Sequence, residues 1–312
     1  MSVAGVLLVN LGTPEAPTAP AIRRFLRQFL SDRRVVQLPR LIWLPILYGF
    51  ILPLRPNRLV HAYKKIWSAE GSPLLVISRK QSTALRAQLK MPVALGMCYG
   101  KPSIADALRE LREQGVEKPV LLPLYPQFSH TTTSAATDQL PGDFGGRVIR
   151  DYHADAGYIA ALAESVCEHW QSCGRGDHLL MSFHGIPQRY VDGGDPYETQ
   201  CRETARLLAQ ALSLKESEWS LGFQSRLGRA PWLKPYTDLL PPQLAQRGVK
   251  KLDVICPGFS ADCLETLEEV SLRYAQDFCA AAGGELRYIA ALNQRPAHVA
   301  MMAALITRTL AG

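Results

Sequence analysis

The stretch His178–Pro187 reads HLLMSFHGIP, an apolar run that ends in a histidine, a glycine and a proline. A short run continuous in large apolar residues and bounded by turn residues is typical of a strand buried on both faces, as in a parallel sheet. The carboxyl end of such a strand is the edge at which α/β proteins bind ligands. His184 therefore stands where a functional side chain is expected.

Strand and helix patterns alternate on both sides of this stretch. The predicted strands are Gly5–Leu11, Pro92–Cys98, Pro119–Tyr125 and Arg147–Tyr152 in the first half, and His178–Phe183, Trp219–Gln224, Lys251–Cys256 and Glu285–Leu292 in the second. Helical spacing follows most of them. This layout predicts an α/β protein with two Rossmann-like doubly wound domains, each with a roughly four-stranded parallel sheet flanked by helices.

The boundary between the two domains is predicted near Tyr152–Ala156. The N-terminal domain then covers residues 1–153 and the C-terminal domain residues 154–295. The closing helical pattern at 296–312 is expected to pack back on the first domain. No Gly/Ser-rich linker marks the boundary, so the two domains are expected to pack together.

The charge of the chain is basic but dispersed. Lys and Arg number 35 against 28 Asp and Glu, a formal net charge of +7, and no run of five basic residues occurs. Nucleic-acid binders usually concentrate such residues, so no nucleic-acid partner is expected. A dispersed excess fits an anionic small molecule or an anionic membrane surface better.

The seven cysteines are odd in number, irregularly spaced and free of any CxxC pair. A zinc site or a four-cysteine iron–sulfur cluster is therefore not expected, and the pattern is typical of reduced, intracellular thiols. The N-terminus has no basic region before its short apolar run, so no signal peptide is predicted. Together these features predict a cytoplasmic protein.

One long apolar stretch, Val35–Leu54, reads VVQLPRLIWLPILYGFILPL. Arg40 and three prolines make a straight membrane-spanning helix unfavourable. Two interpretations stay open for it. It is either a buried core helix or an exposed apolar lip that touches lipid or covers an apolar ligand.

Acidic residues follow the predicted strand that ends at Cys256. Asp262, Glu265 and Glu269 are spaced i, i+3 and i+7, which predicts that their carboxylates line one face of a helix over Ala261–Ala282. Acids near a helix start also stabilise it without any function. A strand-end imidazole that faces a row of carboxylates, however, suits a site that accepts a metal ion and releases protons.

Eight short motifs in one order resemble the ferrochelatase family over nearly the whole chain. They are NLGTPE at Asn10–Glu15, GSP at Gly71–Pro73, YPQFS at Tyr125–Ser129, SFHGIP at Ser182–Pro187, GDPY at Gly194–Tyr197, FQSRLG at Phe223–Gly228, PWL at Pro231–Leu233 and SADCLETLEE at Ser260–Glu269. Each motif alone is weak, but eight in the family's order are specific. The resemblance implies a chelatase-like fold and places the family's active-site lip at Val35–Leu54.

The resemblance also implies an activity. A lyase of this family inserts Fe²⁺ into protoporphyrin IX to give protoheme, releases two protons and completes heme biosynthesis. Iron is then a substrate and no cofactor is bound permanently. No [2Fe-2S] cluster is expected, because the chain ends at Gly312 without the cysteine-bearing extension of cluster-containing members and has His130 where animal members place a cluster cysteine.

Residue roles follow from the same resemblance. His184 and Glu265 match the catalytic, metal-contacting pair on opposite sides of the ring, and Asp262 and Glu269 match an acidic relay. Cys263 stands where animal members have a histidine. The matching porphyrin-binding residues are Leu11, Arg55, Tyr63, Tyr125, Gln224, Trp232 and Phe259.

Other functions stay open on the sequence. A chelatase for coproporphyrin or another tetrapyrrole is the nearest alternative, although Leu11 stands where some coproporphyrin-using members have a tyrosine. A non-catalytic heme or porphyrin carrier is the alternative of another class. A nucleotide-binding enzyme is disfavoured, because the glycine turn at Gly12 lacks the phosphate-binding fingerprints. Peripheral contact with the inner membrane and a monomer or weak oligomer are the expected associations.

Overall fold

The computed structural model describes residues 3–228 and 230–312, which form two parallel sheets of four strands each. The strand order is β2-β1-β3-β4 in the first sheet and β6-β5-β7-β8 in the second. The strands are β1 Val6–Gly12, β2 Val93–Tyr99, β3 Val120–Pro123, β4 Arg147–Val148, β5 His178–His184, β6 Trp219–Gln224, β7 Lys251–Ile255 and β8 Glu285–Ile289. The predicted fold class is confirmed.

The central strands explain why the apolar runs are continuous. β1 pairs in parallel with both β2 and β3, so that Leu8 is opposite Leu95 on one side and Leu122 on the other. β5 holds the same place in the second sheet, between β6 and β7. Helices cover both faces of such a strand, so most of its positions are apolar, and the buried polar residues His178 and Ser182 of β5 are hydrogen-bonded.

Helices connect the strands. The α-helices are α1 Ala19–Ser31, α2 Arg40–Ile46, α3 Leu52–Ile66, α4 Pro73–Leu89, α5 Ile104–Glu113, α6 Ala135–Thr137, α7 Ala156–Cys173, α8 Gln188–Asp192, α9 Tyr197–Ala211, α10 Leu240–Gln246, α11 Ala275–Ala282 and α12 Pro296–Ala311. Three segments have π-helical geometry, Leu47–Ile51, His130–Ser134 and Glu265–Tyr274, and two short 3₁₀ turns are Glu216–Glu218 and Thr237–Leu239.

The helix predicted over Ala261–Ala282 differs from the observed structure. Its first residues are not helical, the π-helix runs from Glu265 to Tyr274, and only α11 is an α-helix. Side-chain bonds account for the late start. The Thr266 hydroxyl accepts the Cys263 N–H at 3.0 Å and donates to the Asp262 carboxylate at 3.0 Å, in place of a regular helical turn.

The apolar stretch at 35–54 is not a buried core helix, so that interpretation is wrong. It forms α2, a π-helical turn and the start of α3, with Pro45 inside α2. Leu41 is 92% exposed and Phe50 65%. The stretch is exposed and apolar, as the lip of the second interpretation should be, and its contact with lipid or with an apolar ligand stays a prediction. No helix among the described residues is long and apolar enough to cross a bilayer.

A smaller difference concerns the prolines near residue 240. The pattern over Tyr236–Gln246 predicts a helix broken in its centre by Pro241 and Pro242. The structure places both prolines in the first turn of α10, where a missing N–H costs no helical hydrogen bond.

The described residues cluster into two compact units. The first contains the chain up to Tyr125 together with Ser129–Asp151 and Val299–Gly312, and the second contains Pro126–Phe128 and Tyr152–His298. Each unit holds one of the two sheets.

Candidate active site

His184 is the last residue of β5 and is half-buried. Its Nδ1 lies 2.6 Å from the carbonyl oxygen of Gly185. A carbonyl oxygen only accepts hydrogen bonds, so Nδ1 carries a proton, and in the neutral ring Nε2 keeps its lone pair. The predicted active-site histidine therefore has a nitrogen that can take up a proton or contact a metal ion.

Two aromatic side chains pack against His184 and Gly185. The ring centroid of Phe259 is 6.4 Å from that of His184, with the planes inclined by 55°. Trp232 packs over Gly185, where an added Cβ would lie 3.2 Å from Trp232 Cε3 and 2.9 Å from the carbonyl oxygen of Gln224. A residue larger than glycine would push the indole away. The structure thus places Phe259 beside the imidazole and Trp232 over the next residue, and contact of either ring with a porphyrin stays a prediction.

Gln224 links this strand end to the acidic segment. It is the register partner of His184 across β5 and β6, and its side chain is buried. Its Oε1 accepts a hydrogen bond from Ser182 Oγ at 2.6 Å, and its Nε2 donates to the main-chain oxygen of Glu265 at 3.2 Å. These bonds hold His184 and Glu265 at one edge of the second sheet. Because protein groups engage both ends of the amide, contact between Gln224 and a porphyrin stays a prediction.

The Asp262 carboxylate is buried and accepts four hydrogen bonds. Oδ1 accepts from the Thr266 and Tyr288 hydroxyls and from the Ala291 N–H, at 3.0, 2.6 and 3.3 Å. Oδ2 accepts from Asn293 Nδ2 at 2.7 Å. Burial, and then the charge of Asp262, raise the pKa of Tyr288 well above its ordinary value. Since Asp262 precedes the π-helix, the prediction that it shares one helix face with Glu265 and Glu269 is wrong.

Glu269 is also anchored, at the other end of the segment. Its carboxylate accepts from the Ser225 N–H at 3.2 Å, the Ser225 hydroxyl at 2.6 Å and the Tyr274 hydroxyl at 2.6 Å. Arg273 lies 3.3 Å away as an ion-pair partner. Ser225 has φ +66°, a left-handed conformation that side chains rarely adopt. The bonds to Glu269 compensate for that conformation and join the loop after β6 to the π-helix.

Glu265 begins the π-helix between these two anchored acids and is half-buried. The nearby Cys263 thiol is buried, and burial followed by the charge of Glu265 raises the pKa of that thiol well above its usual range. Within residues 3–228 and 230–312, no three His, Cys, Asp or Glu side chains are arranged to hold a metal ion.

Four predicted pocket residues belong to the first unit. Leu11 lies near the end of β1 and Tyr125 follows β3, so both are at the carboxyl edge of the first sheet. Arg55 and Tyr63 lie on α3, where Tyr63 is buried with its ring centroid 6.1 Å from that of Trp67. The other predicted residues belong to the second unit.

The groups that hold the acids were missed by sequence reasoning. Tyr288 and Asn293 lie 26 and 31 residues from Asp262 along the chain, and no local spacing signals such a contact. Ser225 stands inside the FQSRLG motif, but nothing in the sequence indicates its left-handed backbone or its bond to Glu269.

Comparisons with known proteins show the family and the fold of the chain. The family model described as Ferrochelatase matches residues 3–310. A ferrochelatase of Aeromonas hydrophila is 51% identical over 98% of this chain and 98% of its own, and one of Thioalkalivibrio sulfidiphilus is 50% identical over 99% and 88%. Among solved structures, SirB from Bacillus subtilis with Fe³⁺ matches with a TM-score of 0.60 at 11% identity, covering 98% of this chain and 95% of that one.

The structural match supports the fold, and the sequence matches extend over nearly the whole chain at about 50% identity. The exposed lip, the strand-end histidine and the acidic π-helix all lie in segments that the family model covers. The chain therefore belongs to the ferrochelatase family and is an enzyme of heme biosynthesis that inserts iron into a porphyrin.

Proposed function

We propose that this enzyme inserts Fe²⁺ into protoporphyrin IX with His184 and Glu265 acting from opposite faces of the macrocycle. The observation that carries the proposal is the hydrogen-bonded frame through Gln224, which holds a histidine with a free Nε2 lone pair and a half-buried carboxylate at one sheet edge. The reaction forms iron–nitrogen bonds to the pyrrole nitrogens and releases two N–H protons, so two acceptors are needed.

The apolar side chains Trp232 and Phe259 have a second role, which is to hold the porphyrin in a bent conformation. A flat porphyrin hides its nitrogen lone pairs, and a site that holds the ring bent exposes them. Contact with Trp232 and Phe259 supplies binding energy for that distortion, on the order of a few kcal/mol. Leu11, Arg55, Tyr63 and Tyr125 would contribute further contacts with the ring or its carboxylates, and the lip at 35–54 would shield the apolar edge.

His184 and Glu265 are the proposed acceptors of the two released protons. His184 Nε2 takes one proton, and the resulting imidazolium keeps the Nδ1–H bond to the Gly185 carbonyl that orients the ring. Glu265 takes the other and contacts the metal transiently. A relay through Asp262 and Glu269 remains a prediction, and the bonds to both carboxylates support a positioning role for them as well.

A heme or porphyrin carrier is the alternative of another class. Anaerobic mixing of the enzyme with protoporphyrin IX and Fe²⁺ separates the two, because only a chelatase converts the free-base absorption spectrum to that of heme. The His184→Ala variant should bind porphyrin, followed by fluorescence quenching, without turnover. The His153→Ala variant serves as a control for loss of a histidine. Near-normal turnover in His184→Ala would remove the proposed base.

Substrate choice is proposed from the apolar character of the lip. Protoporphyrin IX carries two carboxylates and coproporphyrin four, so an apolar rim favours the first. The kcat/KM for protoporphyrin IX should exceed that for coproporphyrin III at least tenfold, a difference of about 1.4 kcal/mol. Equal values, or a preference for coproporphyrin, would contradict this choice. No permanent cofactor and no [2Fe-2S] cluster are part of the proposal, and iron enters as substrate.

Peripheral contact with the cytoplasmic face of the inner membrane is part of the same proposal. The lip exposes Leu41, Tyr48 and Phe50. Beside it, a surface groove of about 520 Å³ is lined by Arg23, Arg24, Arg27, Tyr48, Leu52 and Pro53. Guanidinium groups next to apolar side chains suit an anionic bilayer surface. Co-sedimentation with vesicles that contain phosphatidylglycerol, weakened in a Phe50→Ser variant and absent with neutral vesicles, would support it.

A further inference from the structure

Cys173 stands out among the cysteines outside the active site. It is the exposed last residue of α7, and its Sγ lies 3.3 Å from Nε2 of His169, one helical turn earlier. The thiol also lies 3.0 Å from the main-chain oxygen of His169, to which it can donate. In the tautomer that carries its proton on Nδ1, His169 Nε2 accepts the thiol proton instead, and the anionic form of sulfur is the nucleophile.

A buried carboxylate lies near the same imidazole nitrogen. Asp253 in β7 is fully buried, and its Oδ1 is 3.4 Å from His169 Nε2. Trp170 Nε1 and the Gly176 N–H donate to Oδ2 at 2.7 and 2.9 Å, and Arg287 pairs with Oδ1 at 2.7 Å. These donors hold the carboxylate in place. After His169 accepts a proton, the new N–H faces this anion, which stabilises the imidazolium.

We propose that Cys173 is a nucleophilic thiol that reacts with peroxides and small electrophiles, with His169 as its base and Asp253 as the anion that stabilises protonated His169. With hydrogen peroxide, sulfur attacks one oxygen and the O–O bond breaks. The departing hydroxide takes the proton held by His169 and leaves as water. Sulfur loses two electrons to become a sulfenic acid, and peroxide is reduced.

The other cysteines provide internal controls. Cys167 on the same helix and Cys279 on α11 are also exposed, and neither has an imidazole within hydrogen-bonding distance among the described residues. Cys98, Cys201, Cys256 and Cys263 are buried, and burial raises the pKa of each thiol, to about 12 for Cys98. Buried neutral thiols react slowly.

The experiment measures the three exposed thiols in one molecule. The full-length enzyme is treated at pH 7 with limiting hydrogen peroxide or, separately, with iodoacetamide, and each cysteine is followed by peptide mass spectrometry. Cys173 should react roughly tenfold faster than Cys167 and Cys279. Equal rates for the three thiols would overturn the proposal.

A variant then tests the role of His169. In His169→Asn, the rate at Cys173 should fall to that of Cys167, while Cys167, Cys279 and iron insertion keep their wild-type rates. An unchanged rate at Cys173 would refute the assignment of the base. If His169→Asn fails to fold, the rate ratio within the wild-type enzyme still decides whether Cys173 is the reactive thiol.

Discussion

Asp262→Asn tests whether the first acid of the active-site segment holds the structure together. The substitution preserves shape and replaces one acceptor oxygen by an NH₂ group. If the remaining oxygen takes the place of Oδ1, it keeps the bonds from Thr266, Tyr288 and Ala291. The new NH₂ then faces Asn293 Nδ2 across 2.7 Å, donor against donor. The opposite orientation loses three bonds, so the first is the less costly.

The magnitude follows from these contacts. A buried donor left without an acceptor costs about 1–3 kcal/mol. The three bonds that survive lose their charged acceptor, and charge-assisted bonds are about twice as strong as neutral ones. We therefore expect the free energy of unfolding to fall by roughly 3–5 kcal/mol, a large part of the about 5–15 kcal/mol that stabilises an ordinary domain.

Urea unfolding at pH 7, followed by tryptophan fluorescence, measures this loss. The matched control is Asp138→Asn, because Asp138 is exposed and pairs only at the surface with Arg34, so its loss should cost about 0–1 kcal/mol. A change below about 0.5 kcal/mol in Asp262→Asn would refute the structural role. Lost turnover with unchanged stability would instead identify Asp262 as a proton relay alone.

Three further predictions follow from the site and the core. Gly185→Val adds side-chain atoms where a Cβ alone would lie 3.2 Å from the Trp232 indole, so KM for porphyrin should rise and the free energy of unfolding should fall by roughly 1–3 kcal/mol; an unchanged KM would show that the indole does not contact substrate. Glu265→Gln should lower kcat far more than it changes porphyrin affinity, measured by single-turnover iron insertion and fluorescence titration, whereas loss of affinity alone would make Glu265 a binding residue. Burial lowers the pKa of His298 to about 4 from its ordinary 6.5. As the pH falls below 6.5, His298 therefore binds a proton in the unfolded chain but not in the folded one. The free energy of unfolding should therefore be roughly 2 kcal/mol lower at pH 5 than at pH 7 because of this residue. Urea titrations at the two pH values measure the difference, and a His298→Leu variant should lack this contribution.

Much of the fold could be predicted from local pattern, because the buried central strands force continuous apolar runs. Local pattern also indicates helix starts. Ser103 precedes α5, and its side chain accepts the Asp106 N–H, as expected of a serine at the N-cap. The failures have a common cause. The late start of the helix after Cys263 depends on the bonds of Thr266, and the placement of Asp262 depends on Tyr288 and Asn293, which are distant in sequence.

The sequence by itself determined the two parallel sheets, the strand-end position of His184 and the family of the chain, because apolar periodicity and motif order are properties of neighbouring residues. The tertiary structure decided which acids are anchored, which tautomer His184 holds and whether residues 35–54 face water or the core. Those outcomes depend on hydrogen-bond donors and packing partners that lie far apart in the sequence and meet only in the folded chain. Local spacing in the sequence therefore does not predict them.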